Sequence, residues 1–218
     1  MTTTILLHGL GRTGVSMRAL SSALRKQGHA TLAPTYGLTM SLPAILDHLE
    51  PRIAAFHAAH PGPLNFVTHS LGGLIARAFL TRRRPDTLGR VVMLAPPNCG
   101  SQLADLVTKF GLDRVILGQV GGQLRTNRTP ADERILGPVD FDLGIIAGDK
   151  PYDPILPRLL PKPNDGKVTV AATKVDGMRD HIVLPVSHTL MVLDAEVIAQ
   201  TLAYLQNGRF GSIKTTGE

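Results

Sequence analysis

Apolar positions along the chain fall into two alternating patterns. Short aliphatic and β-branched runs at residues 4–7, 30–33, 64–67, 90–94 and 143–147 read as strands. Helical spacing separates them. Met17, Leu20 and Leu24 recur along one side until Gly28. Leu42, Ile45, Leu46, Leu49, Ile53 and Phe56 form a second stripe, behind Ser41 as a cap and Pro43 in the first turn. Ile75, Ala78 and Phe79 share a side of a third helix, and Val197, Ile198, Thr201, Leu202 and Leu205 mark a last one starting near Asp194. Further β-branched runs at 167–170 and 182–184 read as late strands. This alternation predicts an α/β fold: a mostly parallel β-sheet, buried on both faces and flanked by helices. Residues 101–140 break the rhythm with Gly118, Gly121, Gly122 and scattered arginines, and show one helical pattern, at 102–110. That stretch reads as a short cap or lid inserted above the sheet of a single domain covering residues 1–218.

Composition narrows the class. At 218 residues and 43% hydrophobic, the chain has enough apolar side chains for a packed core. Its one cysteine, Cys99, excludes an internal disulfide framework and a cysteine-rich zinc site. The formal charge is +6, which raises nucleic acid or an anionic membrane as partners. The only dense basic run is Arg82-Arg83-Arg84, Trp is absent and aromatics make up 4%, so stacking platforms are lacking and no nucleic-acid partner is expected. Three arginines before Pro85 suit the C-terminus of a helix. No apolar run reaches the ~20 residues of a spanning helix, so no stable membrane insertion is expected. Met1-Thr2-Thr3-Thr4 lacks a signal-peptide pattern, and the expected location is cytoplasmic. Nothing in the pattern specifies an oligomeric state.

The sharpest chemical signal is Thr68-His69-Ser70-Leu71-Gly72, between the third strand and the third helix. A serine on such a tight turn projects its hydroxyl above the sheet edge, and the crowded backbone demands small residues two before and two after. Gly72 meets that demand. Thr68, β-branched where glycine is usual, implies some strain or a slight displacement of the helix. Free N–H groups at the helix start point where an oxyanion forms, so the Leu71 N–H is one expected donor. His8-Gly9-Leu10-Gly11, after the first strand, offers the Leu10 N–H as the other. A phosphate loop is the competing reading of Gly9, Gly11 and Gly14, but no acid follows a second strand about 20 residues on to hold a ribose.

A serine nucleophile needs a general base. His29, His48, His57 and His60 fall on or beside helices and read as surface or boundary residues. His8 and His69 flank the expected oxyanion hole and read as structural or pocket-lining, and His181 heads a strand. His188 lies in a loop between a strand and the last helix, where the base belongs when the chain order is Ser, acid, His. Asp165, in the turn Asn164-Asp165-Gly166, is the expected acid. Asp149, directly after the fifth strand, is its main rival, with Asp153, Asp176 and Asp180 behind.

With Ser70, Asp165 and His188 in that order, the chain resembles the α/β-hydrolases, of the compact bacterial lipase/esterase sort. The residues that carry the resemblance are His8-Gly9-Leu10, Thr68-His69-Ser70-Leu71-Gly72-Gly73, Pro96-Pro97-Asn98-Cys99-Gly100-Ser101, Asn164-Asp165-Gly166-Lys167-Val168 and Val186-Ser187-His188. The resemblance implies carboxylic ester hydrolysis through an acyl-enzyme, without a metal or organic cofactor. Thioester, amide and acyl-transfer chemistry use the same triad, and a non-catalytic basic binding protein on the same scaffold is the remote alternative. The chain departs from larger members by beginning at their third strand and by its short cap. The expected partner is a small-molecule ester with an apolar acyl group, held near Leu10, Leu71 and Met178 or Met191, with Pro96-Pro97-Asn98 as a rigid loop or acyl-pocket wall.

Overall fold

Six apolar runs become strands: β1 (Thr2–Leu7), β2 (His29–Leu32), β3 (Leu64–His69), β4 (Leu88–Leu94), β5 (Leu143–Gly148) and β6 (Asp180–Leu184). In this computed structural model, which describes residues 2–37, 39–152 and 160–212, all six pair in parallel in the order β2-β1-β3-β4-β5-β6. Parallel strands need long crossovers, and α1 (Arg18–Lys26), α2 (Leu42–Ala59) and α3 (Leu71–Arg82) supply the first three; α9 (Ala195–Asn207) follows the last strand.

Alternation along the strands divides the core. Ile5 and Leu7 face one side with Phe66, Val91 and Ile145, under Leu46 and Leu49 of α2 and Leu74 and Ile75 of α3. Leu6, Val67, Val92 and Ile146 face the other, against Leu20 and Leu24 of α1 and Val197 and Tyr204 of α9. Each such aliphatic side chain contributes about 2 kcal/mol on leaving water. Local signals start the helices as the sequence predicts. The Ser41 hydroxyl accepts from the Ala44 N–H at 3.4 Å, and the Asp194 carboxylate accepts from Glu196 and Val197. At the end of α3, Arg82 and Arg83 pair with Asp47 and Glu50, and Arg84 with Asp140.

Two expectations fail. The run at 167–170 is not a strand. The Asp165 carboxylate takes the N–H groups of Lys167 at 2.9 Å and Val168 at 2.8 Å, so neither is free for a ladder. Thr169 then caps a short helix, α8 (Val170–Thr173), by accepting from the Ala172 N–H. The stretch 101–140 holds four short α-helices rather than one, α4 (Gln102–Lys109), α5 (Asp113–Ile116), α6 (Gly121–Leu124) and α7 (Pro130–Leu136), with a 3-10 turn at Gly118–Val120. The start of α7 is a capping box, with Thr129 and Asp132 satisfying each other's backbone N–H and Pro130 in the first turn. Among the described residues no helix is long and apolar enough to cross a membrane.

The chain leaves β1 toward β2, then returns to β3 on β1's other side and continues outward. The helix after β1 lies on one face and the helix after β3 on the other. This reversal opens a crevice at the carboxyl ends of β1 and β3, where α/β sheets bind ligands.

Candidate active site

Ser70 stands on that crevice, at φ 53° and ψ −122°, in a region that few residues with a side chain adopt. Neighbouring hydrogen bonds hold it there: its N–H donates to the Leu94 carbonyl at 2.8 Å, and its carbonyl accepts from Gly73 at 2.9 Å. A second strained residue, Ala95 at φ 45°, lies beside it at the end of β4. The turn also needs close approach. A methyl group at Gly72 would stand 2.3 Å from the Leu7 carbonyl oxygen, and one at Gly9 would meet the His69 ring at 3.0 Å and the Ser70 Cβ at 3.2 Å. Bare glycines therefore let α3 and the loop after β1 close around Ser70. Thr68 is buried at 0% exposure, and its hydroxyl has no hydrogen-bond partner among the described residues.

The His188 Nε2 lies 3.0 Å from the Ser70 Oγ, and its Nδ1 lies 2.7 Å from Asp165 Oδ2. With the carboxylate accepting from Nδ1–H, Nε2 is left to accept the serine proton. Asp165 is fully buried, and its Oδ1 is taken by the two N–H groups of its own turn. Its carbonyl also accepts from the His188 N–H at 3.0 Å. The loop that supplies the acid thus also anchors the imidazole. Asp149 is exposed at the surface, and Asp180 accepts from the N–H groups of His181 and Phe210 instead. Asp153 lies outside the described residues.

Two further histidines support the arrangement. His69 bonds the His188 carbonyl through Nε2 at 2.9 Å, and the two rings lie 4.9 Å apart. Burial, reinforced by His188, holds His69 well below its ordinary pKa, so it is neutral and Nε2–H is the donor. His8, lowered by burial, stacks on Tyr36 at 3.9 Å. Its Nε2 accepts from the Tyr36 N–H at 3.3 Å, so Nδ1–H donates to the Gly9 carbonyl at 2.9 Å. This pins the loop carrying Leu10. No acceptor among the described residues takes the Leu10 N–H. The Leu71 N–H, first in α3, has no partner within the helix.

A cavity of about 110 Å³ opens over Ser70 and His188. Leu10, Pro97 and Val168 form its lower wall, and Leu103, Ala104, Leu117 and Leu124 of the cap close it above. Three of the expected apolar neighbours lie elsewhere. Met191 is fully buried in the core on the α1/α9 face, Met178 packs on the opposite core, and Leu71 turns into the core beneath the loop after β1. Nothing in the pattern of residues 101–140 marked the cap leucines as their replacements. A larger hollow of about 990 Å³ lies at the far end of β3, between α2 and the end of α3, remote from Ser70. Among the described residues no cluster of three His, Cys, Asp or Glu is placed to hold a metal.

One arginine ties the cap down. The Arg128 side chain is 2% exposed. It donates to the carbonyls of Pro97 at 2.6 Å, Asn98 at 2.5 Å and Gln123 at 2.6 Å. Arg77 meets Asn98 from below, at 3.3 Å to Oδ1. Pro96-Pro97-Asn98 is therefore both a rigid loop and, through Pro97, a wall of the cavity.

No protein-family model matches the chain, and no curated protein matches it in sequence. Solved structures do match in shape. The mature lipase BlEst2 of Bacillus licheniformis superposes with a TM-score of 0.74 at 16% identity, over 94% of this chain and 91% of that one. Phospholipase PlaB of Legionella pneumophila gives 0.69 at 20% identity, over 86% of this chain and 53% of its own length. A metagenomic carboxyl esterase gives 0.68 at 18%, over 87% of this chain and 65% of that one. The chain has the α/β-hydrolase fold.

Proposed function

We propose that the protein is a serine hydrolase that cleaves carboxylic esters through an acyl-enzyme. The observation that carries this reading is the hydrogen-bonded chain from Asp165 through His188 to Ser70, ending on a strained serine at the start of a helix. In the reaction, His188 Nε2 takes the hydroxyl proton as Oγ bonds to the ester carbonyl carbon. The carbonyl oxygen becomes an oxyanion, held by the Leu10 and Leu71 N–H groups. Collapse breaks the bond to the alkoxy oxygen, which leaves with the proton from His188. Water then attacks the acyl-serine by the same route, releasing the carboxylic acid and restoring the hydroxyl. Asp165 holds the tautomer and stabilises the imidazolium that forms twice in each cycle. The apolar cavity walls suit a short acyl chain. That similar folds bear the names lipase, phospholipase and carboxyl esterase supports the same bond type.

The test is turnover of p-nitrophenyl butyrate by the wild-type chain and by Ser70→Ala. The reading predicts a loss of about 10⁴-fold or more in kcat with an unchanged circular-dichroism spectrum. Full activity in the folded variant contradicts it.

A further inference from the structure

Two cations line the Ser70 cavity, and among the described residues no acidic side chain lines it. Arg12 follows the loop after β1, and Lys167 lies on the turn that carries Asp165; both line the cavity beside Ser70 and His188. Neither forms an ion pair among the described residues. Arg82, Arg83 and Arg84 differ in this respect, since each has a carboxylate partner at the surface.

The backbones of both residues are fixed by the bonds that shape the site. The Arg12 N–H donates to the Gly9 carbonyl at 3.2 Å. The Lys167 N–H donates to Asp165 Oδ1, and its carbonyl accepts from the Ser101 hydroxyl at 3.0 Å. The side chains also feel each other. Burial and the Arg12 charge hold the Lys167 amine below its ordinary value, and Asp165 is the one acid that opposes them. That carboxylate is already committed to His188 and to two backbone N–H groups. Among the described residues the other ionisable groups lining the cavity are His69, which is neutral, and His188. Two like charges facing one small cavity repel each other, and an anion placed between them relieves that repulsion.

We propose that Arg12 and Lys167 form an anion-binding subsite, so that the ester cleaved at Ser70 carries a carboxylate or phosphate group within a few bonds of its scissile carbonyl. This rests on the hydrolase reading above and narrows its substrate class. The two residues come to the same cavity on separate loops, Arg12 two residues after Leu10 and Lys167 two residues after Asp165, the partner of His188, so both an acyl-side and an alcohol-side anion are tested.

The experiment compares kcat/KM for two anionic esters, each against its neutral carboxamide isostere. Mono-p-nitrophenyl glutarate places the carboxylate on the acyl chain; 3-butyryloxy-4-nitrobenzoate places it on the departing phenol. At low salt at least one carboxylate should exceed its carboxamide by about tenfold, the effect of one charge-assisted hydrogen bond. That ratio should shrink as ionic strength rises. It should fall to near one in the Arg12→Gln/Lys167→Gln double variant, and stay in place in Arg52→Gln, an exposed arginine of α2. Equal rates for carboxylates and carboxamides in the wild type overturn the subsite and leave the hydrolase reading standing. So does a preference that survives in the double variant. Failure to turn over any of the four esters overturns both.

Discussion

The floor of the cavity and its roof are built in opposite ways. On the floor, Asp165, His188 and His69 are buried and linked by hydrogen bonds, and backbone strain at Ser70 and Ala95 is held by the strands beneath. In the roof, short helices meet the floor through leucines, while Phe110 and Val115 lie 68% and 79% exposed on the outside. The floor fixes which atoms stand where. The roof supplies shape and apolar area, and a few side chains anchor it, among them Arg128 on the Pro97 and Asn98 carbonyls, Arg77 on the Gly137 carbonyl and Thr81 on the Leu136 carbonyl. Chemistry that tolerates little displacement is placed where hydrogen bonds over-determine the geometry. Substrate fit is left to a region that changes shape by exchanging side chains.

Breaking the floor should have the largest effect. Asp165→Asn keeps the volume but offers Nδ1 a weaker, uncharged partner. The expected outcome is a loss of about 10⁴-fold in kcat with p-nitrophenyl butyrate, with the folded structure retained by circular dichroism. Arg128→Met strikes the join between the two regions. It leaves the Asn98 and Gln123 carbonyls without their donor and the Pro97 carbonyl with the Gly100 N–H alone, and a loss of about 3 kcal/mol in urea unfolding is expected. Leu117→Ala sharpens the comparison from the roof. It enlarges the cavity without touching the triad, so the preferred acyl chain should lengthen, at about fourfold in relative kcat/KM per added methylene. A chain-length series measures this directly.

Protonation tests the floor differently. Burial depresses His8, His69 and His181 below the ordinary value of 6.5, so the unfolded chain binds more protons than the folded one as pH falls. The stability they contribute is complete above pH 6.5 and is lost as pH drops through and below it. The urea midpoint should therefore be lower at pH 5.5 than at 7.5, and His69→Gln, which keeps a donor for the His188 carbonyl, should flatten the fall. The smallest effect is expected at Thr68. Its buried hydroxyl has no partner among the described residues, so Thr68→Val should raise stability by about 1 kcal/mol.

The contrast between floor and roof also explains what the sequence made legible. Strands and long helices were readable because burial on one or both faces imposes a period on the apolar residues. The strand-to-helix turn at Ser70 was readable because such a turn restricts its neighbours to small residues, as Gly72 shows. The run 167–170 misled because its β-branched residues favour a strand, while the Asp165 carboxylate captures the N–H groups a strand would use. The helices of residues 101–140 were hidden by their length, although Thr129, Pro130 and Asp132 carry a start signal for one of them. The cavity walls were hidden for a different reason. Leu117 and Leu124 reach Ser70 only through tertiary packing, which leaves no mark on local spacing, whereas Met191 has suitable chemistry nearby in the chain but packs into the core. His69 and Arg128 belong to the same class: their partners, the carbonyls of His188 and Pro97, are set by the fold alone.

The most direct measurement is covalent trapping. The chain is incubated with a fluorophosphonate ester at neutral pH, and the adduct is located by peptide mass mapping. A single adduct on the Ser70 hydroxyl, slowed by orders of magnitude in His188→Gln, is the predicted result. An intact, folded protein that takes no label, or takes it on another residue while Ser70 stays unmodified, contradicts the account.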